Sequence, residues 1–203
     1  MLHGANSIEA FARAHELAAE RSLTFVHPFD DEAIIAGQGT VGLEILEQMP
    51  DVDDVIVGIG GGGLIAGVAT AVKELKPSAR VFGVEPAGAA VIRQSLDAGQ
   101  PLRLESMRTI ADGLAAPMAG NLTYDIVKRY VDDVVTVTDN EIMAAMRDIL
   151  RSAKLLAEGA GAAATAAVLS GRLPVKGRRV VAVLSGGNVD TRLLMEVLQS
   201  ESA

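Results

Sequence analysis

A chain of 203 residues with 49% hydrophobic content can bury a sizeable core, and it points to one domain or to one large domain with part of a second. Its net charge of -8 comes from mixed signs with no basic stripe, so a nucleic-acid backbone is repelled on average, and DNA and RNA partners are set aside. Zero cysteines exclude a disulfide framework and a thiolate metal site and fit a reducing compartment.

The chain opens on Met1-Leu2-His3-Gly4-Ala5-Asn6, which has no basic segment ahead of an apolar core and does not read as a secretory leader. Ser7 to Arg21 has helical spacing, with Asn6 or Ser7 as the cap and Ile8, Phe11, Ala12, His15 and Leu17 near one face. A short strand is expected over residues 23–26. His27-Pro28-Phe29-Asp30-Asp31 reads as a loop, followed by a helix from near Thr40 that Pro50-Asp51 closes.

Asp54 then begins a buried strand that runs into Gly60-Gly61-Gly62-Gly63, and a helix from Leu64 to about Leu75 follows. The apolar run over residues 56–72 is too short and too glycine-rich to cross a bilayer, so a cytoplasmic location away from membranes is expected. Residues 80–84 form the next strand and residues 88–98 a helix, followed by a polar loop through Arg108. Residues 134–137 read as a strand, and Thr138 with Glu141 offers a capping box for a long helix to about Ala157. The segment Glu158-Gly159-Ala160-Gly161 re-aims that helix, and small residues carry it on through Leu169. Residues 179–184 form a last buried strand and residues 189–198 a last helix. Strands and helices taking turns in this way predict an α/β fold with a largely parallel sheet and helices on both faces.

Two segments carry chemistry. Four consecutive glycines between a strand and a helix leave backbone N–H groups free to converge on one anionic group, and the helix start adds unpaired donors and the positive end of its dipole. A tight turn without ligand is the plainer alternative, but one or two glycines suffice for a turn. The run lacks the G-x-G-x-x-G spacing of a dinucleotide site, and the acidic Glu85 that follows sits in Val84-Glu85-Pro86. The second segment, Ser185-Gly186-Gly187-Asn188, delivers a hydroxyl at the carboxyl end of a strand, where open α/β sheets place ligand contacts. The plainer alternative for Ser185 is a cap for the final helix.

Six motifs appear in series: Ala36-Gly37-Gln38-Gly39-Thr40, Gly60-Gly61-Gly62-Gly63-Leu64, Val84-Glu85-Pro86, Thr109-Ile110-Ala111-Asp112-Gly113, Lys154-Leu155-Leu156-Ala157-Glu158 and Ser185-Gly186-Gly187-Asn188-Val189-Asp190. Together they closely resemble the threonine dehydratase and serine racemase group of fold-type II, tryptophan synthase β-like enzymes that use pyridoxal 5'-phosphate (PLP). The resemblance implies that Gly60, Gly61, Gly62, Gly63 and the Leu64 amide hold the cofactor phosphate and that the Ser185 hydroxyl meets the pyridine nitrogen. It further implies that Gly113 lies against the cofactor and that Glu158 sits near the ring. The implied reaction is β-elimination from serine or threonine to a 2-oxo acid and ammonia, with serine racemisation as a related outcome.

The chain departs from the family pattern in one respect. The lysine that carries PLP and a Ser-x-Gly-Asn-His segment both belong to the early part of the pattern, and neither is found here. Lys73, Lys76, Lys128, Lys154 and Lys176 match no such motif, so no catalytic residue is assigned. The match is to roughly the last two-thirds of the pattern, with residues 1–28 expected as the remnant of a small domain and residues 29–203 as the large PLP-binding domain. A homo-oligomer or a complementing N-terminal fragment is the expected partner, with serine or threonine as substrate. The alternatives are a non-catalytic α/β domain that binds PLP or another phosphate ligand, and a nucleotide-binding or purely structural domain. Glu85 and the Ala89 carbonyl match part of a divalent-cation site of serine racemase-like members, but Val91 stands where a third, carboxylate ligand belongs, so no metal is assigned.

Overall fold

The computed structural model describes residues 3–4 and 7–200. Eight α-helices are found among them: α1 (Ser7–Arg21), α2 (Glu32–Gln48), α3 (Gly63–Leu75), α4 (Val91–Ala98), α5 (Asn121–Tyr130), α6 (Asp139–Asp148), α7 (Gly159–Leu169) and α8 (Thr191–Gln199). Four strands, β1 (Asp54–Gly58), β2 (Arg80–Pro86), β3 (Asp133–Val137) and β4 (Val180–Ala182), pair in parallel in the order β3-β2-β1-β4. The fold is therefore α/β with a parallel sheet, as the alternating pattern predicts.

Residue alternation along the strands builds a core on each face of the sheet. Val55 and Val57 pack with residues of α3, α4 and α5, while Ile56, Phe82 and Val84 pack with residues of α6, α7 and α8. The chain winds outward from β1 to β2 to β3, then returns over the opposite face to place β4 beside β1. That reversal makes a switch point between β1 and β4, and a crevice forms there at the carboxyl ends of parallel strands.

At the other end of the sheet, Asp54 is fully buried and accepts hydrogen bonds from Arg80 (2.7 and 3.0 Å) and Arg178 (2.5 Å). Burial pushes its pKa up, but the two guanidinium partners outweigh that and hold it below the usual aspartate value.

Several elements differ from the sequence expectation. Residues 23–27 have no strand partner and no regular structure; Phe25 and His27 instead pack against Phe11 and His15 of α1. The Asn6 cap and the side chains of Ser7 and Ile8 lie outside the described residues. Helix α2 begins at Glu32, eight residues before Thr40, because Asp31 caps it by accepting the N–H groups of Ala33 and Ile34. Glycines on both helices let α2 and α3 approach closely: a Cβ on Gly42 of α2 would lie 2.9 Å from the Val68 carbonyl oxygen, and one on Gly67 of α3 would lie 2.3 Å from the Ile35 carbonyl oxygen.

Helix α5 is not predicted from the sequence at all. Helix α6 has the expected capping box at Thr138 and Glu141 but ends at Asp148 in a π-helical turn, Ile149–Ala153, followed by Lys154 in the left-handed region (φ 59°). Strand β4 is a short, half-buried strand at the sheet edge among the described residues, where a buried strand over residues 179–184 is expected from the sequence. Asp190 caps α8, so Ser185 is not that helix's cap.

Candidate functional site

The carboxyl ends of β1 and β4 open into a cavity of about 690 Å³. Gly60, Gly61, Gly62, Gly63, Leu64, Gly113, Glu158 and Ser185 all line it, so the structure brings together, from four separate segments, every residue that the resemblance assigns to the cofactor. Ser185 follows β4, Gly113 lies in a 3-10 turn (Asp112–Leu114), and Glu158 immediately precedes α7.

The glycine run is required by what lies behind it. A Cβ on Gly61 would fall 2.3 Å from the Phe29 ring, one on Gly63 would fall 2.9 Å from Phe29 Cβ, and one on Gly62 would fall 2.9 Å from Thr123 Cβ. Gly62 is also the α3 N-cap at φ +95°, a conformation that L side chains rarely adopt. None of the N–H groups of residues 60–64 donates to a protein acceptor among the described residues. The loop is therefore a set of backbone donors at a helix N-terminus, packed against Phe29 and Thr123. That donor set fits a phosphate group, and with no lysine, arginine or histidine lining the cavity among the described residues, binding would rest on dipoles and not on ion pairs.

The remaining walls are largely apolar, with Val41, Leu114, Ala160, Val183 and Leu184 suited to a flat ring. The Ser185 hydroxyl has no protein partner among the described residues and is free to meet a ring nitrogen. Glu158 Oε2 accepts the Asn188 N–H (2.9 Å), and the Glu158 N–H donates to the Gly186 carbonyl (3.0 Å). These two bonds tie the Ser185 turn to the start of α7.

Sequence reasoning missed Phe29 and Val41 as cavity residues, and it quoted Gln38 within a motif without giving it a role. Only the placement of Phe29 in a Pro-Asp loop hinted that it was free to pack on something.

Glu85 stands apart from the cavity. It is fully buried, and its two oxygens accept the N–H groups of Ile92 and Arg93, each at 2.8 Å, in the first turn of α4. Burial pushes its pKa up to about 7 against the opposing pull of those backbone bonds. Both oxygens are thus occupied, and no group of three or more His, Cys, Asp or Glu able to hold a metal occurs among the described residues. Among them, too, no helix is long and apolar enough to cross a membrane.

Comparison with known proteins adds four findings. A family model described as pyridoxal-phosphate dependent enzyme matches residues 1–186. The L-threonine ammonia-lyase of Thermotoga maritima is 45% identical over 190 residues, covering 94% of this chain and 47% of that protein. The catabolic L-threonine dehydratase TdcB of Escherichia coli strain K12 is 43% identical over 199 residues, covering 97% of this chain and 60% of that protein. Among solved structures, maize serine racemase superposes with a TM-score of 0.90 at 38% identity, covering 98% of this chain and 61% of that one. The chain thus spans about half to three-fifths of the length of the curated relatives it matches.

Proposed function

The chain belongs to the pyridoxal-phosphate dependent enzymes, and we propose that it is the cofactor-holding portion of a threonine or serine ammonia-lyase. The observation that carries this reading is the convergence of the unpaired amides of residues 60–64 with the free Ser185 hydroxyl in one cavity. On this reading the amides of Gly60, Gly61, Gly62, Gly63 and Leu64 bind the cofactor phosphate, Gly113 and Glu158 border the ring, and Ser185 Oγ donates to the pyridine nitrogen. A hydroxyl donor leaves that nitrogen uncharged, where a carboxylate partner would favour its protonation. PLP, when bound, supplies the electron withdrawal that lets an amino acid lose its α-proton and its β-hydroxyl group, giving a 2-oxo acid and ammonia. A nitrogen held neutral moderates that withdrawal, which favours prompt departure of the hydroxyl over longer-lived alternatives.

None of the five lysines lines the cavity among the described residues. Catalysis therefore needs a lysine from a complementing N-terminal polypeptide or from a second subunit. By itself the chain acts as a binding module for PLP or a related phosphate ligand, and this second reading rests on the same lysine-free lining. Residues 1–28 then belong to a small domain and residues 29–203 to the large one, and the protein works in the cytoplasm.

Calorimetric titration of the chain with PLP, repeated in excess inorganic phosphate, tests the reading. Heat that phosphate suppresses is expected, with no imine absorbance from the chain alone. Ammonia release from serine or threonine is expected only once a lysine-bearing complement is added. No heat with PLP, with or without the complement, would overturn the proposal.

A further inference from the structure

We infer that Thr123, a residue outside the cavity lining, is a positioning residue that aims the Gly62 N–H into the anion cradle; this rests on the phosphate-binding role proposed above. Thr123 lies in the first turn of α5 and is fully buried. Its hydroxyl donates to the Gly61 carbonyl at 2.8 Å. The peptide joining Gly61 to Gly62 is planar and trans, so its C=O and N–H point in opposite directions. Fixing the carbonyl toward α5 therefore turns the Gly62 N–H away from α5, and Gly61 and Gly62 both line the cavity. With glycine on both sides of that peptide, no Cβ restrains its rotation, and the Thr123 hydroxyl, the one side chain that bonds to it among the described residues, sets its orientation.

Thr123 is itself held from a distant part of the chain. Helix α5 has a glycine N-cap, Gly120, which has no side chain to accept the first N–H groups. Asp30 supplies the missing acceptor, taking the N–H of Thr123 through Oδ1 and that of Asn121 through Oδ2, each at 3.1 Å. Asp30 in turn sits in a turn where the His27 Nδ1 accepts the Asp30 N–H at 2.8 Å. The run His27, Asp30, Thr123, Gly61 thus ends on the peptide whose N–H is left without a protein acceptor.

The test measures the affinity of inorganic phosphate and of PLP for the full chain and its variants. Thr123→Val keeps the shape and removes the hydroxyl, and it is expected to weaken both ligands roughly ten-fold, the effect of about one hydrogen bond. Thr123→Ser keeps the hydroxyl and should restore affinity. Val127→Ala, a buried change one turn further along α5 that does not touch Gly61, should loosen the helix and leave affinity unchanged. In the labelled wild-type chain, the Gly62 amide resonance should move on phosphate addition. Equal affinity in wild type and Thr123→Val, equal losses in Thr123→Val and Val127→Ala, or a Gly62 amide that saturating phosphate does not move would each overturn the positioning role. A wild-type chain that binds neither ligand would overturn the cofactor reading and this role together, a result distinct from a variant that binds as wild type does.

Discussion

Replacing Glu85 with glutamine is expected to remove a large part of the pH dependence of folding stability. In the unfolded chain this carboxyl titrates near 4.5, whereas in the folded protein burial pushes it to about 7, with the Ile92 and Arg93 amides and the Arg93 charge pulling the other way without prevailing. The folded state therefore keeps a proton that the unfolded state has already released. The resulting stabilisation is complete below the unfolded value and is lost as the pH rises through the folded one. At about 1.36 kcal/mol per pH unit, a rise from 4.5 to about 7 corresponds to roughly 3 kcal/mol. Glutamine has the same shape and no charge to bury. Urea unfolding of both proteins at constant ionic strength, stepped from about pH 4.5 to about pH 8, should show the glutamine variant gaining on the wild type by roughly that amount. Parallel stability curves for the two proteins would refute the reasoning, since they would mean that Glu85 titrates alike folded and unfolded.

Two further substitutions separate packing from site geometry. Gly67→Ala would stabilise an isolated helix by about 1 kcal/mol, but here the added methyl would meet the Ile35 carbonyl oxygen at 2.3 Å and the Gly39 nitrogen at 2.5 Å. A net loss of about 2 kcal/mol is expected, read from the denaturant midpoint, and a rise in stability would show that α2 and α3 are free to part. Gly61→Ala drives a methyl into the Phe29 ring at 2.3 Å. It should abolish measurable phosphate binding by calorimetry, and Phe29→Ala in the same chain should recover part of it; no recovery would place the fault in the loop itself and not in the ring behind it.

The regular elements were legible wherever sequence pattern and tertiary context agreed. The β-branched run of β1, the glycine loop and the Thr138–Glu141 capping box each state their structure locally, and the structure has all three. Helix α5 was illegible because its cap acceptor, Asp30, lies 91 residues away and its own N-cap is a glycine. The early part of α2 was masked by Gly37 and Gly39, which lower helix propensity, while Gly42, where a Cβ would meet the Val68 carbonyl oxygen at 2.9 Å, allows the close approach of α3. The end of α6 misled in the opposite direction: Lys154, Leu155, Leu156 and Ala157 favour helix, yet the chain leaves it so that Glu158 can bond to the turn of Gly186 and Asn188. For the site, the glycines and Ser185 stand out by composition and position. Phe29 and Thr123 act by packing against the loop, and a side chain that presses on or orients another residue's backbone leaves no periodic trace in sequence.

Strand β4 gives Ser185 an unusual support. It pairs only with β1, through residues more than a hundred positions away in the chain, and its outer edge faces no other strand among the described residues. Fraying costs least at such an edge, so the amides of residues 180–183 should exchange with deuterium before those of β1 and β2. Each opening carries the serine away from the cavity, which makes an intact binding crevice a fluctuating population. A ligand that spans from the glycine loop to Ser185 would slow that exchange, acting as a clasp across the seam between first and last strands.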